Sequence, residues 1–136
     1  MKTFMIPAED ERLDELNDLI EETLEPYDCP MKVLLQLQLV VEEIFVNIAH
    51  YAYAPNHGEA EITIGVCGEN PVFTMVFSDS GSPFDPLAQK EADVTLSLEE
   101  RAIGGLGIFL VKKYVDSASY AYENGRNVLT ITRKLS

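Results

Sequence analysis

Tryptophan is absent, cysteine and histidine occur twice each, and 23 acidic residues outnumber the 10 lysines and arginines. Each shortage excludes something. Two cysteines, Cys29 and Cys67, are too few for a disulfide framework and stand in no metal-ligand spacing. Both read as packed thiols. A formal charge of −13 leaves no cluster of basic residues to neutralise phosphates, so a direct nucleic-acid partner is not expected. An anionic membrane surface is disfavoured for the same reason. No apolar run reads as a membrane span, and the opening "MKTFMIPAEDER" lacks the basic-then-apolar order of a signal peptide. The expectation is a cytoplasmic chain, folded as one domain over residues 1–136. Its composition, 46% hydrophobic and 24% charged, suits a chain with a real core.

What is present is a succession of clear periodic segments. "KTFMI" is a short strand candidate. In the acid-rich stretch that follows, Leu13, Leu16, Leu19 and Ile20 recur at helical spacing, which predicts an amphipathic helix from about 8 to 25 with its acids in solvent. Pro26 and Pro30 break the chain, and a second helix is expected from about 31 to 53. "EAEITIGVCG" and "VFTMVFSDSG" read as a strand hairpin. Residues 80–103 have little regular pattern, and a loop that long inside a compact domain points to function or disorder. "GGLGIFLVKKYVD" predicts glycines opening a helix of about ten residues. "SASYAYENGRNVLTITRKL" predicts a second hairpin around "ENGRN". The order gives an α/β protein: a two-layer α/β sandwich whose mixed, mostly antiparallel sheet is covered on one face by three helices.

Three stretches carry chemistry. On the second helix Gln36, Glu43, Asn47 and His50 fall in one polar line beside an apolar stripe of Leu37, Val41, Ile44 and Ile48. The line is either a solvated edge or the lining of a site. Glu43 offers a general base, and the carboxamide oxygen of Asn47 one turn on is a hard donor suited to Mg²⁺. In "FSDSGSPFDP", Asp79 ends an apolar strand, where a carboxylate either closes an Asx turn or accepts a hydrogen bond from an exocyclic amino group such as that of adenine. Gly81 would admit a flat ring close to the backbone. In "RAIGGLGIFLVKKYVD", Gly104, Gly105 and Gly107 stand before an apolar helical run. Backbone N–H groups at such a helix start make a phosphate site, while the plainer reading is a hinge or close packing. The stretch is neither a P-loop nor the dinucleotide fingerprint.

Taken in order, Glu43…Asn47, Asp79-x-Gly81 and Gly105-x-Gly107 resemble the N, G1 and G2 boxes of the Bergerat-fold ATPases, the superfamily of gyrase, histidine kinases, heat-shock chaperone ATPases and mismatch-repair ATPases. Within it the short length and the wording "HYAY", "GSPFDP" and "GGLGIFLVKK" are similar to the anti-sigma-factor serine/threonine kinases. The resemblance covers residues 5–135. It implies the histidine-kinase-like ATPase fold with ATP and Mg²⁺ as cofactors. Glu43 would be the catalytic base, and Asn47 the magnesium ligand. Asp79 and Gly81 would take the adenine, and Gly105 and Gly107 the phosphates. Residues 87–103 would form an ATP lid, with Arg101 at its end reaching the γ-phosphate. Thr130, in "NVLTITRK", matches the late-strand threonine that supports adenine recognition. The family's Asn-x-x-x-His-Ala-Tyr appears here as "NIAHYAY", with Tyr51 in the histidine's place, so His50 is expected to be a hydrogen-bonded residue at the pocket edge rather than a catalyst.

Without lysine in the glycine motif, a chain of this charge must attract a triphosphate through metal and helix terminus together. Lys112 and Lys113 read as helix-surface lysines. The resemblance also implies partners: a STAS-type anti-sigma antagonist as phosphoacceptor, a sigma factor or similar regulator to sequester, and a homodimer. Two other functions compete with the kinase. One is an ATP-responsive partner-switching module with little phosphotransfer, in which Glu43 would have no task. The other is an acidic interaction domain whose glycines serve packing.

Overall fold

A computed structural model of the chain describes residues 1–52, 58–83, 85 and 105–135. The elements follow the order β1 (Lys2–Pro7), α1 (Leu13–Leu24), α2 (Met31–Asn47), β2 (Glu59–Cys67), β3 (Val72–Asp79), α3 (Gly105–Tyr114), β4 (Ser117–Glu123) and β5 (Arg126–Lys134). The five strands form one sheet in the order β1-β2-β3-β5-β4. All four neighbouring pairs are antiparallel. The mixed character expected from the sequence is therefore not found among the described strands. Two hairpins account for half the pairings, and the long connections before β2 and before β4 return the chain without a parallel neighbour.

Alternation decides which way each strand faces. Ile62 and Ile64 of β2, Phe73, Met75 and Phe77 of β3, and Leu129 and Ile131 of β5 are buried beneath the helices. Leu16, Ile20 and Leu24 of α1 meet them, as do Leu37, Val40, Val41, Ile44 and Phe45 of α2 and Val111 of α3. The stripe read from the sequence on the second helix is thus the buried one. Gln36, Glu43 and Asn47 lie beside it, each half-buried.

By length and hydropathy alone, Met31–His50 would qualify as a membrane-crossing helix. Its apolarity has another cause here, since six of its side chains are in the core and a polar line runs along its flank. Regular α-helix stops at Asn47, and the chain continues as one wider π turn over Ile48–Ala52, where a single uninterrupted helix to about 53 was expected. Such turns are rare and recur at functional sites. Of the two thiols, Cys29 packs against the core, but Cys67 is exposed at the end of β2, against expectation. Its neighbour Val66 takes the inward place and turns Cys67 outward.

Between β4 and β5 the turn is made by Asn124 and Gly125, both at positive φ (53° and 76°). Those are the dihedral signs of a type I′ hairpin, whose twist matches that of the strands. Glu123 then pairs with Arg126, and Asn127 is set opposite Tyr122 on one side and Asp79 on the other. One tight turn thereby fixes a register that matters for the site.

Candidate nucleotide site

Among the described residues the buried polar side chains are Ser78, Asp79 and Asn127. Burial of such groups is costly unless each is hydrogen-bonded, so their concentration at one end of β3 and β5 calls for a reason. Asp79 is 4% exposed, and its Oδ1 accepts two hydrogen bonds, from the Gly81 backbone N–H at 3.0 Å and from Asn127 Nδ2 at 2.9 Å. The first of these is the Asx turn, one of the two readings the sequence offers for Asp79. It occupies one oxygen only. Among the described residues no hydrogen bond reaches the other, Oδ2.

Asn127 was not legible as a site residue in the sequence. Its signal was positional: two residues after the Gly125 turn, and in direct register with Asp79. Thr130, named in its place, pairs with Val76 of β3 and Ser119 of β4. Three residues from Asn127, it has the opposite parity and stands on the face of the sheet away from the helices. The structure does not bring Thr130 together with Asp79; the residue it brings there is Asn127.

On α2, Glu43 and Asn47 are one turn apart and half-buried on the same flank. Among the described residues neither side chain makes a hydrogen bond or ion pair. Burial, and then the neighbouring Glu42 carboxylate, push the Glu43 carboxyl above its ordinary value. A raised carboxylate is a better proton acceptor at neutral pH, the property a general base needs. The chemistry of Asn47 also fits magnesium: its carboxamide oxygen is a hard ligand that no hydrogen bond engages among the described residues. No cluster of three or more His, Cys, Asp or Glu occurs among the described residues, so an ion held there would complete its shell with phosphate and water.

His50, three residues on, bonds through Nε2 to the Asp10 carboxylate at 2.8 and 3.0 Å. The contact ties the turn after α2 to the segment before α1. Gly105 opens α3 and Gly107 lies in its first turn, so both belong to the helix rather than preceding it. Lys112 and Lys113 are in the last turn of α3 and exposed. Seven and eight residues on at 1.5 Å each, they stand about 10–12 Å from Gly105 along the helix, and Lys113 Nζ sits 5.4 Å from the Tyr114 ring centroid. Arg101, Gly104, His57 and the segment 87–103 lie outside the described residues.

An antiparallel sheet with helices on one face, a carboxylate at the end of a central strand, an E-x-x-x-N flank and a glycine-started helix define a nucleotide-binding α/β class. The sequence match to the histidine kinase-like ATPase domain runs over residues 6–133, and the chain belongs to that family. Serine/threonine-protein kinase BtrW of Bordetella bronchiseptica is 28% identical over 96 residues, covering 71% of this chain and 67% of the relative. Serine-protein kinase RsbW of Listeria monocytogenes serovar 1/2a is 29% identical over 97 residues, covering 68% of this chain but 61% of the relative. The chain thus spans about three fifths of that kinase's length.

Among solved structures, the RsbU and RsbW domains of a Mycobacterium tuberculosis protein match with a TM-score of 0.67 at 14% identity, over 99% of this chain and 33% of theirs. The histidine kinase domain of a blue-light-activated kinase from Erythrobacter litoralis matches at 0.52 and 12%, over 96% and 62% respectively. At these identities the likeness is one of fold.

Proposed function

We propose that the chain is a Mg-ATP-dependent protein serine/threonine kinase of the anti-sigma-factor type. The observation that carries the reading is Glu43: a half-buried carboxyl raised above its ordinary value, unpaired among the described residues, one turn before an unpaired Asn47. A module that only binds nucleotide has no use for a base in that place. Asp79 presents Oδ2 to the amino group of adenine, and the start of α3 at Gly105 and Gly107 offers backbone donors to phosphate. Mg²⁺ held at Asn47 would supply neutralisation of phosphate charge. Glu43 takes the proton from a serine hydroxyl as its oxygen bonds to the γ-phosphorus and the bond to the β-phosphate oxygen breaks, leaving ADP. Arg101 at the γ-phosphate and residues 87–103 as a lid remain part of this proposal.

The relatives named as serine kinases support a protein substrate, which we take to be a STAS-type antagonist, with a sigma factor or similar regulator held in alternation and a homodimer as the working unit. Calorimetric titration with ATP, with and without Mg²⁺, followed by transfer of labelled γ-phosphate to a STAS-domain protein, tests the reading. Magnesium-dependent binding and a serine-phosphorylated acceptor are expected. Binding with no transfer to any acceptor offered, and no loss of function in Glu43→Gln, would turn the assignment to the ATP-responsive binding module.

A further inference from the structure

Asn127 is 6% exposed, and both hydrogens of its Nδ2 are directed at acceptors: Asp79 Oδ1 at 2.9 Å and the Ser82 backbone carbonyl at 2.9 Å. Neither a carboxylate oxygen nor a carbonyl can donate, so turning the amide round would break both hydrogen bonds and set its oxygen against two acceptors. Its own Oδ1 must therefore face the other way, and there the hydroxyl of Tyr120 donates to it. Tyr120 stands on β4 opposite Leu129, so it reaches Asn127 along the diagonal of the antiparallel pair while its ring packs against the core. The result is a directed chain, Tyr120 to Asn127 to Asp79, that starts on an edge strand and ends at the base-recognising carboxylate.

We infer that Tyr120 and Asn127 determine which base the site accepts. With Oδ1 of Asp79 taken by Asn127 and Gly81, Oδ2 is the oxygen left to a ligand, and an acceptor selects a ring that brings a donor. A 6-amino purine satisfies it; a 6-oxo purine sets a carbonyl against a carboxylate. The same amide ties down the Ser82 carbonyl, so the loop leaving β3 is held as the carboxylate is held. Without the Tyr120 hydroxyl a buried amide oxygen loses that hydrogen bond, the amide tilts, and the Asp79 carboxylate gains freedom to swing out of line with the base. Tyr120 and Asn127 are positioning residues. The inference rests on the reading of Asp79 as the group that meets the base.

Affinities for ATP and for inosine triphosphate, measured by calorimetry with Mg²⁺ in the full chain and in Tyr120→Phe, Asn127→Ala and the double variant, test it. The ratio of the two affinities is the readout, because general loosening of the fold lowers both together. Asn127→Ala is expected to cut the ATP preference about tenfold and Tyr120→Phe about threefold. The double variant should lose no more than Asn127→Ala alone, since Tyr120 acts through Asn127. Tyr120→Phe keeps the ring in the core and carries the test should Asn127→Ala fold poorly. An unchanged ratio in Tyr120→Phe, or losses that multiply in the double variant, would overturn the inference while the unmodified protein still prefers ATP. If the unmodified protein does not discriminate at all, the reading of Asp79 itself fails, and this inference with it.

Discussion

Replacing Asp79 by asparagine changes one atom's chemistry without changing its shape, and the structure states what should follow. The carboxamide oxygen takes the place of Oδ1, where Gly81 N–H and Asn127 Nδ2 both require an acceptor. The new NH₂ must then stand where Oδ2 was, facing the ligand. A charge-assisted hydrogen bond to the adenine amino group, about 1.5–3 kcal/mol, is lost, and two donors now oppose each other in a desolvated place, at about 1–3 kcal/mol more. A combined loss of about 2.5–6 kcal/mol is on the order of 10²–10⁴ in Kd. The fold should hardly notice: both internal bonds survive in weaker, uncharged form, at about 1 kcal/mol and a few degrees of melting temperature. Calorimetry reads the first effect and thermal unfolding the second. The same substitution should favour inosine triphosphate, whose 6-carbonyl accepts from the new NH₂, so the ATP preference narrows or reverses. Were Asp79→Asn to bind ATP within about threefold of the unmodified protein while folded, Asp79 would not be contacting the base, and the argument from Oδ2 would be refuted.

Other outcomes follow from other parts of the molecule. Glu43→Gln should lower phosphotransfer by about 10²–10⁴ while leaving ATP binding within a few-fold. The folded state holds the Glu43 proton more tightly than the unfolded chain does, so its ionisation detracts from stability as pH rises through the raised value. Glu43→Gln should therefore raise the melting temperature at neutral pH and lose that advantage in acid; an equal shift at all pH values would contradict it. Glu42→Gln removes the secondary cause of that shift, so the acid limb of the rate profile should move to lower pH. Gly125→Ala puts a side chain at φ 76° in the β4–β5 turn and should cost about 1 kcal/mol, roughly 3 °C in a thermal scan. His50→Ala and Asp10→Ala break one contact whose two side chains are each 50% exposed. A double-mutant cycle on melting should give a coupling of about 0.2–1 kcal/mol, and additive single losses would show that the pair does not act as a unit.

Periodicity alone made much of this architecture readable. The 3.6-residue stripe of Leu37, Val41, Ile44 and Ile48 and the two-residue alternation of "EITIGV" and "VFTMVF" are local statements, because a helix or strand carries its own geometry wherever it lies. Glu43 and Asn47 were legible for the same reason: two residues one helical turn apart share a face in any fold. The N-G dipeptide announced its turn. Asp79 and Gly81 were legible through the Asx turn that binds one to the other within three residues.

Asn127 was not legible, because its relation to Asp79 spans 48 residues and depends on sheet register. A shift of one position exchanges every side chain between the two faces, so Thr130, three residues from the facing position, is on the other face of the sheet. The Tyr120 hydroxyl is likewise a partner only once β4 pairs with β5 in this register. Equally, the raised Glu43 carboxyl follows from the desolvation that packing imposes on a flank which, in sequence, is simply polar. Which elements form was determined by the chain locally. Which of their polar groups meet, and which are thereby left one oxygen for a ligand, was decided by the packing of strands far apart in the chain, since hydrogen bonds act over about 3 Å whatever the sequence separation.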